Sequence, residues 1–148
     1  MEYGGTGMLD HIGIVVKDLG VARAFYTACM APLGIDLLED HARSAKEGWL
    51  VYGRTGRFPF FVIAAGRPSF WNKSHSAAAA PDHLAFTAPS DEAVNAFYRE
   101  GLGAGGKDNG PPGPRRSSTS CYAAFLIDPD GNNVEANHRE LWKSGELP

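Results

Sequence analysis

Two histidines and one glutamate carry the chemistry that this 148-residue sequence makes available. His11 lies in LDHIGIVV, residues 9–16, and His83 in PDHLAFTA, residues 81–88, 72 positions further on. Glu135 lies in GNNVEANH, between the apolar residues Val134 and Ala136. Imidazoles and carboxylates are the common donors to a divalent ion. A carboxylate in a mostly apolar strand is costly to bury unless it is paired or metal-bound. Taken singly, each of the three reads as an ordinary core or surface residue of a strand. What sets the histidines apart is that each follows an Asp, precedes an apolar run and occupies the same place in an internal repeat.

The repeat has one register. The offset of 72 pairs Asp10 with Asp82, Ala24 with Ala96, Phe25 with Phe97, Tyr26 with Tyr98 and Gly34 with Gly106, while Ile12/Leu84 and Ile14/Phe86 keep apolar step. A duplicated unit with a twofold axis between its copies can bring both imidazoles to one point. In each half the first strand (8–17 and 82–89) alternates between faces. His11, Gly13 and Val15 share one face, as do His83, Ala85 and Thr87. Ile12, Ile14 and Val16, like Leu84, Phe86 and Ala88, take the other, expected to pack under a helix. Small residues two places after each His leave room for a ligand.

The elements that must position these groups follow from local signals. Asp18 and Ser90, the latter followed by Asp91-Glu92, are N-cap candidates for helices that end near Gly34 and near Gly101–Gly106. Val21, Ala24, Phe25 and Ala28, then Val94, Phe97 and Tyr98, have helical spacing. Three short strands should follow in each half, at about 35–42, 48–53 and 58–65, then 104–109, 121–128 and 132–138. DPDGNN, residues 128–133, is a strong turn, and GPPGPRRSS reads as a Pro-rich loop. The expected fold is α+β: two βαβββ modules, about 8–65 and 82–138, in pseudo-twofold arrangement, forming a curved mixed sheet around a central pocket. A linker, 66–81, joins them within a single domain spanning 1–148.

Composition narrows the partners. A net charge of −3 with scattered Lys and Arg lacks the basic face of a nucleic-acid binder. No apolar run approaches a membrane span, and the N-terminal residues carry no secretory pattern. Cys29 and Cys121 are too few for a disulfide framework and read as buried reduced thiols, so a cytoplasmic location is expected.

DHIGIVV with a following AFY helix, then DHLAF, then DPDGNNVE, resembles the glyoxalase/bleomycin-resistance/extradiol-dioxygenase superfamily, the vicinal-oxygen-chelate fold. The resemblance covers roughly residues 8–138, and the family's metal ligands are matched residue by residue by His11, His83 and Glu135. Glyoxalase-I-like members draw a fourth ligand from the last strand of the first half, here 57–65. Matching turns sets Phe60 opposite Glu135, and the bare offset sets Ile63 there; neither binds metal, nor does anything else in that stretch. Two His and one carboxylate favour Fe2+ or Mn2+, with Zn2+ or Ni2+ as further options. The set resembles that of the type I extradiol dioxygenases, which also need a His acid/base and a Tyr. Tyr122 is the candidate Tyr. His138 follows Glu135 by an odd number of residues and should face away; His41 and His75 fall in loops.

The resemblance implies a small oxygen-rich substrate chelating the ion through two neighbouring oxygens, with Glu135 and Tyr122 as catalytic candidates. Phe60, Phe61 and Tyr122 are candidates for an apolar wall, and Arg115 and Arg116 for a clamp on a substrate carboxylate or phosphate. Trp71, with Asn72 and Lys73, offers a lid or a dimer contact. Three functions fit: a metal-dependent lyase or isomerase working through an enolate; a non-haem Fe(II) extradiol-type dioxygenase; or a metal-free small-molecule binding or resistance protein. A homodimer is the expected assembly.

Overall fold

The computed structural model describes residues 8–66, 81–116 and 120–139. The first half runs β1 (His11–Val16), α1 (Leu19–Met30), a 3-10 turn (Ala31–Leu33), β2 (Asp36–Asp40), β3 (Gly48–Gly53) and β4 (Phe60–Ala65). The second runs β5 (His83–Thr87), α2 (Asp91–Gly103), β6 (Lys107–Arg116), β7 (Ser120–Ile127) and β8 (Asn133–His138). Each half therefore reads βαβββ, and the fold is α+β. The first sheet has the order β1-β4-β3-β2 and the second β5-β8-β7-β6. In each, the first strand pairs with the last in parallel and the remaining pairs are antiparallel.

The two helices start where their caps place them. The Asp18 carboxylate accepts the Val21 amide at 3.0 Å, and the Ser90 hydroxyl accepts the Ala93 amide at 3.1 Å. Each satisfies one of the donors that a helix start leaves unpaired. After α1 the chain turns at Gly34, whose φ of 73° suits a residue without a Cβ.

The strand alternation expected for β1 and β5 holds. Ile14 and Val16 are buried, as are Leu84 and Ala88, whereas His11, Gly13, His83, Ala85 and Thr87 are exposed. Ile12, at the open start of β1, is 39% exposed.

One expectation is corrected. The Pro-rich segment 110–116 is not a loop but the second part of the ten-residue strand β6. Prolines cannot donate to a ladder, so they are tolerated on an edge and at bulges. β6 is the edge strand of its sheet, and its pairing with β7 shifts register between Asp108 and Gly110 and again between Gly110 and Gly113. The bulges absorb Pro111 and Pro112, and pairing resumes at Gly113 and runs to Arg116.

The chain divides into two compact units, one of residues 1–23 and 34–80, the other of 24–33 and 81–148. The first has its core in Ile14, Val16, Leu19, Leu50, Tyr52, Phe61 and Ile63. The second takes in the later part of α1, and Phe25, Tyr26 and Cys29 are buried with Val94, Phe97, Leu126 and Val134. Gly106 lets this core close: a Cβ there would stand 2.6 Å from the Phe25 ring. Of the residues singled out above, Trp71, Asn72, Lys73 and His75 lie outside the described residues.

Candidate metal centre

The ladder between β5 and β8 sets the donors of the second unit side by side. His83 faces Asn133, Ala85 faces Glu135 and Thr87 faces Asn137. Residues at a spacing of two share a face, so His83, Glu135 and Asn137 all lie on the face away from α2. The small Ala85 between them leaves the imidazole free to lean over the carboxylate, and His83 Nε2 stands 3.3 Å from Glu135 Oε2. The Glu135 side chain is only 11% exposed and His83 is 53% exposed. Val134 and Ala136, on the opposite face, are fully buried and hold β8 in place.

The second nitrogen of His83 fixes what the first can do. Nδ1 stands 3.2 Å from the Asn133 carbonyl, which can only accept. In the neutral ring Nδ1 therefore carries the proton, and Nε2 presents a lone pair to a carboxylate. Two electron-rich atoms facing each other need a cation between them or a proton on the imidazole. Glu135 Oε1 is occupied separately, accepting from Asn137 Nδ2 at 2.6 Å.

The turn that delivers β8 is locked. Asp128, nearly fully buried, accepts the backbone N–H groups of Asp130 and Asn132 on Oδ1, at 2.9 and 2.8 Å. Its Oδ2 accepts from the Tyr26 hydroxyl at 2.6 Å and from Asn132 Nδ2 at 2.9 Å. Asn132 Oδ1 in turn accepts the Asp82 amide at 3.0 Å, which ties the residue before His83 to the same turn. Burial, followed by the neighbouring Asp128 charge, pushes the Tyr26 phenol well above its ordinary range, so it stays a donor. The DPDGN motif thus acts as an anchor for the strands that bear His83 and Glu135.

In the first unit, His11 heads β1 with Nδ1 2.6 Å from Asp10 Oδ1. A carboxylate on Nδ1 fixes the ring and leaves Nε2 as the free donor, the usual support of a metal-ligating His. His11 lines a cavity of about 600 Å³ together with Leu38, Glu39, Val51, Thr55, Gly56, Phe60 and Val62. Its floor is apolar, and Phe60 is part of it as expected.

Other candidates fall elsewhere. Phe61 is buried on the opposite face of β4, tilted against Tyr52 at 6.4 Å, so it belongs to the core and not to the wall. Tyr122 pairs with His138, and its hydroxyl donates to Asn95 of α2 at 2.7 Å. It therefore lies on the helix face, away from His83 and Glu135. His138 lies there too, with Nδ1 2.8 Å from Asp91 Oδ1. His41 contacts Glu39 at 2.7 Å and stacks on Trp49. Arg115 sits on β6, its guanidinium over the Phe125 ring at 5.5 Å and bonded to the Pro111 carbonyl. Arg116 closes β6 beside Ser120, and its side chain lies outside the described residues. Cys29 is buried, whereas Cys121 is only partly so. The residue of the first module equivalent to Glu135 is neither Phe60 nor Ile63 but Val62, which faces Gly13 as Glu135 faces Ala85.

The donor chemistry fits a divalent ion in part. Bonds of about 2.1 Å put neighbouring ligands about 3.0 Å apart in an octahedron and about 3.4 Å apart in a tetrahedron. The 3.3 Å between His83 Nε2 and Glu135 Oε2 falls within that range. Among the described residues, no group of three or more His, Cys, Asp or Glu side chains gathers as a complete site. Asn137 and Phe125 were not anticipated. Asn137 could have been found from its position two residues after Glu135, whereas Phe125 depends on the hairpin being centred on Asp130, which the motif alone does not fix.

Comparison with known proteins places this geometry. The family model described as Glyoxalase/Bleomycin resistance protein/Dioxygenase superfamily matches residues 8–136. A glyoxalase/bleomycin resistance protein of Albidiferax ferrireducens T118 is 31% identical, with 90% of this chain and all of that one covered and a TM-score of 0.68. A putative glyoxalase of Bacillus halodurans is 23% identical over 90% of this chain and 96% of its own, with a TM-score of 0.61. A lactoylglutathione lyase of Agrobacterium tumefaciens, 17% identical over 93% and 97%, has a TM-score of 0.61 and shares the fold. No curated protein matches in sequence. No helix among the described residues is long and apolar enough to cross a membrane.

Proposed function

Because the chain belongs to the glyoxalase/bleomycin resistance protein/dioxygenase superfamily, we propose that it is a metal-dependent lyase or isomerase acting on a small oxygen-rich substrate. The observation that carries this reading is His83 Nε2 set 3.3 Å from a largely buried Glu135 carboxylate. His83 and Glu135 would hold the ion from the second module. His11, at the matching position of the repeat and with Asp10 on its Nδ1, would be the third donor. Two neutral imidazoles and one carboxylate favour Fe2+ or Mn2+, with Zn2+ or Ni2+ also compatible. When bound, the ion would act as a Lewis acid on two neighbouring substrate oxygens, stabilising the negative charge that develops there.

The chain's own groups do the rest. Phe60, Val62, Val51 and Leu38 offer an apolar floor to the body of the substrate. The Arg115 guanidinium, which bonds only a backbone carbonyl among the described residues, is available to a carboxylate or phosphate. Glu135 would serve as a ligand through Oε2, with Oε1 engaged by Asn137. Tyr122, whose hydroxyl donates to Asn95, is assigned no part in this reading. A homodimer in the cytoplasm completes the proposal. Twofold assembly is the commonest for soluble chains, and the two cysteines are free thiols.

Elemental analysis of the purified protein tests the reading. About one divalent ion per chain, lost on His83→Ala, is expected. A wild-type protein that refuses Fe, Mn, Ni and Zn overturns it and favours a metal-free binding protein. Fe2+-dependent oxygen uptake with a catechol would instead favour the dioxygenase.

A further inference from the structure

We propose that Asn137 is the positioning residue of the metal site: it occupies one oxygen of Glu135 and so presents the other, singly, on the His83 side. The inference rests on the metal reading given above. Asn137 follows Glu135 by two places on β8 and shares its face, opposite Thr87 of β5. Its Nδ2 stands 2.6 Å from Glu135 Oε1 and 3.5 Å from Cys121 Sγ. Both protons of the amide are thus spent, one on the carboxylate and one on the thiol.

The cost of this arrangement is visible. Asn137 Oδ1 is buried and has no hydrogen-bond partner among the described residues. A buried acceptor left unpaired costs about 1–3 kcal/mol, and native structures tolerate few of them. Turning the amide over would not repair it, because Oδ1 would then meet the carboxylate oxygen at 2.6 Å with no proton between them. The side chain therefore gives up one hydrogen bond to hold Glu135.

The effect on Glu135 follows from its two oxygens. With Oε1 engaged by the amide, Oε2 is the oxygen turned toward the imidazole, 3.3 Å from His83 Nε2. The carboxylate would then hold an ion through one oxygen in preference to both. That leaves one more position for substrate oxygens. Nothing on the first module does this work, since its counterpart of Asn137 is Ala64, facing Val15.

Titration of the purified, full-length, metal-free protein with Co2+, followed by calorimetry and visible absorption, tests the role. Outer partners of metal ligands typically contribute about 10–100-fold to affinity. Asn137→Leu, close in shape but without donors, is expected to weaken Co2+ binding by that factor. It should also shift and weaken the visible bands, because a freed Oε1 joins the coordination sphere. Asn137→Thr, which suits a strand but does not reach Oε1, should behave alike and stands in if the Leu variant fails to fold. Wild-type Co2+ affinity and spectrum in a folded variant overturn the role of Asn137 alone. A wild-type protein that takes up no Co2+ overturns the metal reading together with it.

Discussion

Followed rung by rung from their histidines, the parallel ladders of the two sheets diverge at once. In the first module His11 faces Phe60, Gly13 faces Val62 and Val15 faces Ala64. In the second His83 faces Asn133, Ala85 faces Glu135 and Thr87 faces Asn137. The backbone register is the same, and the first strands carry the same sequence of large, small and medium residues. Only the last strand has changed character: three apolar residues in one module, an amide, a carboxylate and an amide in the other. The histidines are held differently too. Asp10 grips His11 through its side chain, whereas Asp82 serves through its backbone and His83 leans on the Asn133 carbonyl. One backbone plan, duplicated, has been given an apolar floor in one copy and a set of polar donors in the other. On the function proposed above, this would divide the labour between holding a substrate body and holding an ion.

Exchanging one rung between the modules should produce the largest effect. Glu135→Val gives the second module the residue of the first. It is expected to weaken divalent-ion binding more than the ~10–100-fold typical of outer partners. Val62→Glu gives the first module a carboxylate at the matching rung. It is expected to tighten Zn2+ or Ni2+ binding by roughly 10-fold, about 1.4 kcal/mol. Calorimetric titration of both variants reads the pair. If Glu135→Val keeps wild-type affinity, the donors do not lie where the comparison puts them.

The turns that feed the two last strands differ in the same sense. Residues 55–59, before β4, are all exposed, while the turn before β8 closes on buried Asp128 and the Tyr26 hydroxyl. Tyr26→Phe leaves Asp128 Oδ2 with one partner fewer and should cost about 1–3 kcal/mol. An exposed substitution such as Thr55→Ser should stay within ~0.5 kcal/mol. The pH dependence has a definite sign. Tyr26 keeps its proton in the folded state beyond the ordinary phenol range, whereas an unfolded phenol ionises near pH 10. Above that pH unfolding releases a proton, so this contribution is present below about pH 10 and is lost as pH rises. Denaturant melts of wild type and Tyr26→Phe across pH 8–11 check it. Parallel curves for the two would remove Tyr26 from the account.

Much of this was legible before any coordinates. The repeat, the paired histidines, the faces of β1 and β5 and both helix caps follow from periodicity and from residues whose local chemistry is strong. What was not legible depended on pairing. Val62 escaped because the offset between the modules is not constant, being 72 at Gly13/Ala85, 74 at Val51/Phe125 and 73 at Val62/Glu135, so neither the turn match nor the constant offset aligned the strands. Tyr122 is a candidate on residue type alone, and nothing local says which face it takes. The observed hairpin is centred on Asp130, half a residue before the midpoint of DPDGNN; this pairs Phe125 with Glu135 and turns Tyr122 to the other face. Phe60 and Phe61 are adjacent, so only one can line the cavity, and nothing local says which. The Pro-rich strand β6 was hidden by a preference that holds inside sheets and lapses at their edges.

The smallest expected effect separates the two helix starts. α2 begins with Ser90 as cap and has Asp91 and Glu92 in its first turn, so its positive end is neutralised twice over. α1 has no acidic residue in its first turn and relies on Asp18 alone for both the hydrogen bond and the charge. Ser90→Ala should therefore cost about 0.5–1 kcal/mol and Asp18→Ala about 1–2 kcal/mol. Asp18→Asn, which keeps the hydrogen bond and removes the charge, should fall between wild type and Asp18→Ala, at about 0.3–1 kcal/mol. The gap between the two alanine variants should narrow in high salt, because only the charge component is screened. Thermal melts at low and high ionic strength measure all three. Equal losses for Asp18→Ala and Ser90→Ala at low salt would mean that the acidic turn of α2 contributes nothing that α1 lacks.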